Sequence, residues 1–201
     1  RVRPQKARSG AQGQAEVVKY RTIVADPPWD VKRLESPGAK GFGTAAAPLR
    51  SVPLSYPTMS VDEIAALPVK GLAAEAGAHL YLWTINRYVE AAYTITRAWG
   101  FTPSTLLTWC KRPMGLGPGG AYSITTEHVL FSRRGVCYAE DRIDSTWWQW
   151  RRGEHSAKPE AFLDMVERVS PAPRLELFAR RNRLGWDTWG NEALNHVDLR
   201  T

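Results

Sequence analysis

The 201-residue chain has little cysteine and no long hydrophobic run. Two cysteines are too few for a disulfide framework or a zinc site built on cysteine, so a reducing interior is the simplest compartment. No apolar run approaches the length of a membrane span, and no signal-peptide pattern opens the chain. The histidines lack the spacing of metal ligands, so we predict no structural metal. These residues are Cys110, Cys137, His79, His128, His155 and His196.

The positive charge is unevenly distributed. The formal net charge is +7, and residues 1–21 hold six Lys or Arg against a single Glu. A basic segment rich in Gly, Gln and Ala suits attraction to phosphates, and a merely solubilising tail is an equal alternative. We predict that residues 1–16 are a disordered basic tail and that residues 17–201 form a single domain.

Buried strands and amphipathic helices alternate along the chain. Apolar runs predict strands over 20–25, 79–84, 104–110, 125–132 and 175–178. Helices are predicted after a capping box at 60–63, over 87–99 and over 159–169. Long glycine-rich connections lie at 30–58 and 111–122. The alternation predicts an α/β three-layer sandwich with a mostly parallel sheet.

The tetrad Asp26-Pro27-Pro28-Trp29 directly follows the first predicted strand. Ligands of open α/β sheets bind at that edge. Because proline fixes φ and lacks an N–H donor, the carbonyls here are expected to be rigid, outward acceptors. Asp26 and the Pro27 carbonyl could hold an exocyclic amine while Trp29 stacks on the ring that carries it. The alternative is a proline turn in which Trp29 only caps the core.

Such a pair of acceptors suits one particular reaction. The exocyclic amine of adenine is a poor nucleophile because its lone pair is delocalised into the ring. Two acceptors that draw both N–H groups toward a tetrahedral arrangement would free the lone pair to attack an electrophile. This is catalysis by positioning and electrostatics.

Two later segments could bind the rest of a ligand. Lys158 precedes Pro159 at a predicted helix start, so its ammonium and the helix amides form an anion site. An exposed lysine is the alternative. The strand at 175–178 is followed by Ala179, where a ligand could approach closely, and by polar groups for ribose hydroxyls and an adenine edge. There the alternative is a solvated basic loop with Trp186 and Trp189 in the core.

Together these segments resemble the N6-adenine methyltransferase family that contains the catalytic subunit of the eukaryotic mRNA N6-adenosine methyltransferase. The resemblance runs from residue 22 to 192 and favours the bacterial or phage DNA-modifying branch. Its further motifs are Tyr56-Pro-Thr-Met59, Leu82-Trp83-Thr84 with Asn86-Arg87, Trp99-Gly100-Phe101, Trp109-Cys-Lys111, Glu127-His128, His155-Ser-x-Lys158-Pro159, Glu176-Leu-Phe-Ala-Arg180 and Gly190-Asn191.

The resemblance implies a Rossmann-like methyltransferase fold, S-adenosylmethionine as donor, S-adenosylhomocysteine as product, and no metal. It implies that Asp26 and Pro27, with Pro28, hold the target amine, that Trp29 holds the base, and that Tyr56 lies in a lid over it. Asp26 would also contact the donor, and Lys158 its carboxylate. The adenosine part of the donor would be lined by Phe178, Arg180, Asn182, Asn191 and Glu192.

Some positions depart from the family pattern. Asn182 stands where the mRNA enzyme has histidine, Arg183 where it has asparagine, and Glu192 where it has glutamine. Arg183 in an adenosine pocket is therefore doubtful. An unusual segment, Trp147-Trp148-Gln149-Trp150, lies beside Arg151 and Arg152. It suits base stacking with phosphate contact, or equally packing against the sheet or a partner chain.

We therefore expect an enzyme that methylates the N6 amine of adenine in nucleic acid, with DNA favoured over RNA. Lys111 and Trp148 are expected to contact the nucleic acid. The enzyme must extrude the target nucleotide to reach its amine within a duplex. The same chemistry on RNA, methylation of cytosine N4, and a non-catalytic nucleic-acid-binding subunit are the alternatives. A homodimer or a heteromeric partner is possible, a membrane is not expected, and the location implied is the cytoplasm of a bacterium or phage-infected cell, or a eukaryotic nucleus.

Overall fold

The computed structural model describes residues 18–30, 57–111, 121–151 and 157–199. The predicted tail, residues 1–16, lies outside the described residues. The strands are β1 (Thr22–Ala25), β2 (Gly77–Thr84), β3 (Thr102–Cys110), β4 (Thr126–Gly135), β5 (Trp147–Trp148), β6 (Arg174–Leu177) and β7 (Trp186–Trp189). The helices are α1 (Val61–Ala65), α2 (Val69–Leu72), α3 (Val89–Ala98) and α4 (Glu160–Val169), and a 3-10 turn, Asn86–Tyr88, precedes α3.

The seven strands form one sheet in the order β5-β3-β4-β2-β1-β6-β7. β1 is an interior strand and pairs in parallel with β2 and β6, and β6–β7 and β3–β5 are also parallel. Only β4 runs antiparallel to its neighbours, β2 and β3. The prediction of a mostly parallel sheet is confirmed. As a result, the ends of β1, β2, β3, β6 and β7 and the beginning of β4 share one edge, called here the carboxyl edge.

Alternate residues of the central strands serve two separate cores. Ile23 and Leu82 face a cluster that contains side chains of α1 and α3, whereas Val24 and Trp83 face a cluster built on α4. Successive side chains of a strand point to opposite faces of the sheet, so the fully apolar β1 can be buried on both sides. The predicted three-layer α/β sandwich is confirmed.

The helix ends largely follow the predicted signals. The Ser60 hydroxyl accepts the Glu63 N–H at 3.2 Å, and the Ser60 N–H donates to the Glu63 carboxylate at 2.7 Å, which confirms the capping box. α3 ends at Gly100 with φ of +79°, the left-handed conformation that glycine adopts at no steric cost. α4 begins one residue later than predicted, with Pro159 as its N-cap.

Three elements were not predicted. α2 has four residues and β5 has two, which is too short for a hydrophobic period to be recognised. No strand was predicted over β7, and a loop with its two tryptophans in the core was only an alternative, although they belong to a strand. The predicted strand 175–178 ends at Leu177 because Phe178 has a φ of +63°, which turns the chain out of the sheet.

Candidate active site

A cavity of about 420 Å³ opens at the carboxyl edge of the sheet. Six of the seven strands contribute to its wall through the residues that follow or precede them. Lining residues include Asp26, Pro27, Pro28, Trp29, Trp83, Thr84, Trp109, Lys111, Glu127, Lys158, Phe178, Ala179, Arg180, Trp189, Gly190, Asn191 and Glu192. The topology therefore brings together most of the residues that the sequence predicted for the site.

The Asp26–Trp29 turn is held by backbone hydrogen bonds. The Pro27 carbonyl accepts the Trp29 N–H at 2.9 Å, and the Pro28 carbonyl accepts the Met59 N–H at 2.9 Å. The expectation of free, outward carbonyls needs correction, because each carbonyl already has one donor. A carbonyl oxygen has two lone pairs, so the Pro27 oxygen keeps one for a ligand.

A row of four alternating charges crosses the cavity. The Lys158 ammonium lies 2.7 Å from Asp26 Oδ2 and 3.5 Å from Glu127 Oε2, and the Lys111 ammonium pairs with Glu127 Oε1. The four side chains are only 16–24% exposed. The sequence did not predict that Lys158 would bind Asp26, because the two residues are 132 positions apart.

Both ammonium groups also lie over tryptophan rings. Lys158 Nζ is 5.2 Å from the Trp83 ring centre, and Lys111 Nζ is 5.0 Å from the Trp109 ring centre. These are cation–π distances. Each cavity lysine is thus fixed between a carboxylate and an aromatic face.

The charged state of the row follows from its pairing. Burial by itself would lower the pKa of Lys158, but Asp26 and Glu127 outweigh it and the pKa is raised. Burial would raise the pKa of Glu127, but Lys158 and Lys111 outweigh it and the pKa is lowered. Lys158 is therefore cationic and Glu127 anionic at neutral pH.

Glu127 and Glu176 are charged groups that the predicted site did not include. Glu127 was noted only as part of a motif at the start of a predicted strand. Glu176 is the register partner of Val24 on β6. Its burial, and secondarily the charge of Asp26, raise its pKa to about 7, against an opposing effect of Arg183. Their positions follow from strand pairing, which the sequence alone does not specify.

The segments that follow β6 and β7 form the other side of the cavity. Phe178 packs edge-to-face on Trp189, with ring centres 5.4 Å apart. The Ala179 N–H donates to the Trp189 carbonyl at 3.0 Å. A Cβ on Gly190 would lie 2.1 Å from the Ala179 oxygen, so only glycine allows this approach. Arg180, Asn191 and Glu192 extend from these two segments into the cavity wall.

Asn182 does not line the cavity, contrary to its predicted placement. Its amide donates to Thr188 Oγ1 at 3.0 Å and its oxygen accepts the Leu194 N–H at 3.1 Å. Arg183, which was doubtful there, lies over α4 instead and pairs with carboxylates on three of its turns. Those partners are Glu160, Asp164 and Glu167. Both side chains therefore bind other groups of the protein.

Trp148 lies beside the cavity and not in its wall. Its ring stacks on Trp150 at 5.3 Å with an interplanar angle of 7°. The Trp109 indole N–H donates to the Trp150 carbonyl at 3.0 Å, which connects this segment to a residue of the cavity wall. Trp147 is largely exposed. The predicted contact of Trp148 with nucleic acid stays a prediction, and Tyr56, Arg152 and His155 lie outside the described residues.

The described residues offer neither a metal centre nor a membrane span. No group of three or more His, Cys, Asp or Glu among them is arranged to hold a metal ion. None of the helices they form combines the length and apolarity needed to cross a membrane.

Comparison with known proteins now identifies the family. Residues 20–192 match the MT-A70 family. The chain belongs to the MT-A70 family. The predictions of a methyltransferase with a Rossmann-like fold, and of a family that methylates adenine N6, are thereby confirmed.

The chain covers most of one similar protein but only about a quarter of two others. The Type II methyltransferase M.MunI of Mycoplasma sp is 33% identical over 195 residues, which are 91% of the chain and 82% of M.MunI. A probable N(6)-adenosine-methyltransferase of Oryza sativa subsp. japonica is 30% identical over 190 residues, 90% of the chain and 24% of that protein. The N(6)-adenosine-methyltransferase catalytic subunit METTL3 of Homo sapiens is 26% identical over 186 residues, 87% of the chain and 28% of its length.

Proposed function

We propose that this MT-A70 protein transfers a methyl group from S-adenosylmethionine to the N6 amine of adenine in DNA. The observation that carries the proposal is that Asp26 and the Pro27 carbonyl line the same cavity as the segments after β6 and β7. DNA is favoured because the chain covers 82% of M.MunI, a Type II methyltransferase, but about a quarter of the adenosine methyltransferases. Type II methyltransferases are DNA-modifying enzymes.

The cavity residues fit the proposed donor. S-adenosylmethionine carries a carboxylate, an ammonium, ribose hydroxyls and an adenine ring. Lys158 offers a cation for the carboxylate. Arg180, Asn191 and Glu192 offer polar groups for the hydroxyls, and Phe178 and Trp189 offer apolar rings. The volume of about 420 Å³ lies in the range of small-molecule sites.

The acceptor side works by orienting the amine. When bound, S-adenosylmethionine supplies an electrophilic methyl group on a positively charged sulfur. Asp26 Oδ2 is occupied by Lys158, which leaves Oδ1 and the free lone pair of the Pro27 carbonyl to accept the two N–H groups of N6. These acceptors point the nitrogen lone pair away from the turn and toward the donor side of the cavity.

Asp26 is suited to orienting the amine more than to removing its proton before transfer. Its carboxylate is neutralised by Lys158 at 2.7 Å, and a carboxylate is far too weak a base for an aromatic amine. The N6 proton becomes acidic only after nitrogen has bonded to the methyl group. Asp26 then lies within reach to accept it.

The decisive experiment is donor-labelled methylation of DNA and RNA oligonucleotides of identical sequence. Mass spectrometry of the digested products separates N6-methyladenine from N4-methylcytosine. We expect labelled N6-methyladenine in DNA. Label found only in RNA would contradict DNA as the substrate, and label found on cytosine would contradict adenine N6 as the methylated amine.

Donor binding is tested separately by calorimetry and thermal denaturation. At one hundred times Kd, a bound donor adds about 2.7 kcal/mol to the free energy of unfolding, which raises Tm by roughly 5–10 °C at this chain length. Absence of any donor binding would favour a non-catalytic nucleic-acid-binding subunit.

Two variants separate the proposed roles. Asp26→Ala should abolish methyl transfer while donor Kd changes little. Lys158→Ala should raise donor Kd by about 10- to 100-fold, because a charged hydrogen bond is lost. Equal loss of transfer and donor binding in Asp26→Ala, or an unchanged Kd in Lys158→Ala, would contradict these roles.

A further inference from the structure

Trp29 offers almost no surface on which a base could stack. Its side chain is 6% exposed, or roughly 15 Å² of an aromatic surface of about 250 Å². A stacked base covers one whole face of an indole, close to half of its surface. The ring of Tyr88 already covers one face, with ring centres 5.0 Å apart and an interplanar angle of 15°.

The remaining contacts of Trp29 all fix the turn in which it lies. Its indole N–H donates to the Trp83 carbonyl at 3.1 Å, at the end of β2. Its backbone N–H donates to the Pro27 carbonyl at 2.9 Å. It also forms an isolated parallel bridge with Met59, whose N–H donates to the Pro28 carbonyl. One residue therefore joins the exit of β1 to the end of β2 and to the segment before α1.

These contacts act on the group that is to hold the acceptor amine. The Trp29 backbone N–H binds the Pro27 oxygen, so it holds the orientation of this carbonyl and leaves the second lone pair for the amine. The indole bond to Trp83 fixes the position of that N–H relative to the sheet. Without the indole N–H, the buried Trp83 carbonyl loses its donor, and the turn is free to move toward water.

We propose that Trp29 is a positioning residue that aims the Pro27 carbonyl and the Asp26 carboxylate through its indole–Trp83 bond, and that it is not a stacking surface for the acceptor base. The proposal rests on the proposed function, since it concerns the orientation of the amine during methyl transfer. It assigns to the indole N–H an effect on kcat and not on substrate affinity.

The test replaces the N–H and keeps the aromatic ring. Trp29→Phe retains an aromatic face but has no donor. Trp99→Phe is the matched control: Trp99 is fully buried, its indole N–H donates to the Ile64 carbonyl at the same 3.1 Å, and it lies away from the cavity. We expect both variants to lose similar stability. We expect only Trp29→Phe to lose kcat, by about 10-fold or more, with donor Kd and oligonucleotide KM changed less than about 3-fold, below the full effect of one stacked base.

A second replacement tests the same role if Trp29→Phe does not fold. Benzothienylalanine at position 29 retains the two-ring shape and has sulfur where tryptophan has N–H. The same selective loss of kcat is expected. Trp29→Leu should lower kcat as Trp29→Phe does, because both lack the donor.

The outcomes separate this inference from the proposed function. Methyl transfer by the wild type and by Trp99→Phe supports the proposed function, regardless of the activity of the Trp29 variants. If Trp29→Phe then matches Trp99→Phe in kcat, the positioning role is overturned. A rise of about 5- to 150-fold in oligonucleotide KM confined to Trp29→Leu would overturn it as well, since that is the signature of a lost stacking face. A wild type without transferase activity overturns the proposed function itself.

Discussion

At the scale of single residues, the main feature is that Lys158 is shared by two carboxylates. It lies 2.7 Å from Asp26 and 3.5 Å from Glu127. Without it, two like charges would remain in a largely enclosed wall. The residue assigned to the donor carboxylate therefore also stabilises the unliganded site.

This sharing predicts strong coupling between Lys158 and Asp26. Lys158→Met should destabilise the protein, and Asp26→Asn in the same chain should recover part of the loss because it removes one unpaired carboxylate. We expect a coupling free energy of about 1–3 kcal/mol in a double-mutant cycle followed by urea denaturation. Arg168 and Asp141, which are 63% and 44% exposed, form the control pair, and their coupling should stay below about 1 kcal/mol. Equal coupling in both pairs would refute the shared role.

Glu176 predicts a dependence of stability on pH. Its pKa is raised from 4.5 to about 7 by burial and by Asp26. Between these pH values the unfolded carboxyl has lost its proton while the folded one keeps it. The free energy of unfolding therefore falls as pH rises from about 4.5 to about 7.

Glu176→Gln should remove this decline, because an amide does not titrate. Denaturation at pH 5 and pH 8 measures the effect. At pH 8 the variant should be more stable than the wild type by on the order of 3 kcal/mol, and at pH 5 the difference should be much smaller. A variant with the wild-type slope would assign the pH dependence to other groups.

At the scale of elements, the close approach of the segments after β6 and β7 decides the shape of the donor side. A Cβ on Gly190 would lie 2.1 Å from the Ala179 oxygen and 2.6 Å from its nitrogen, both backbone atoms. Gly190→Ala should therefore separate the two segments, lower Tm and raise donor Kd. Gly71→Ala in α2 is the control, since nothing lies within 4 Å of its Cβ. The control should be neutral or stabilised by up to about 1 kcal/mol, and a Gly190→Ala variant that behaves like it would contradict this account of the donor side.

The sequence predicted some of the helices and strands but missed others. β1 and β2 were found as continuous apolar runs and α3 and α4 by their helical period, because both signals are encoded locally, and the capping box was found because its hydrogen bonds span three residues. β7 was missed because it follows β6 in parallel after only eight residues, whereas such crossovers usually need a dozen or more. The Asp26–Lys158 pair and the burial of Trp29 depend on which strands become neighbours, and no local pattern specifies that.

At the scale of the whole molecule, the sheet order explains why distant motifs form one site. β1 is an interior strand, and its neighbours β2 and β6 run parallel to it. The turn that follows β1 is therefore flanked by the ends of both strands. The carboxyl edge brings the predicted acceptor turn and the predicted donor segments, about 150 residues apart in the sequence, into the wall of one cavity.

Charge is the other property of the whole molecule that bears on function. Residues 1–16 contain Arg1, Arg3, Lys6 and Arg8 against Glu16, a net +3 of the chain's +7. If these side chains bind phosphates, replacing all four with Gln should weaken duplex binding mainly at low salt. The slope of log K against log salt should decrease by up to about 3.6, or 0.9 for each phosphate that is no longer neutralised.

The prediction concerns binding alone, because none of these four residues has an assigned role in donor binding or in orienting the amine. At saturating oligonucleotide, kcat should therefore equal that of the wild type. Salt titrations of binding and steady-state kinetics on the same two proteins give both numbers. An unchanged slope would show that the basic residues only raise solubility, and the attraction of DNA would then have to come from other cations, such as Lys111 and Arg180 in the cavity wall.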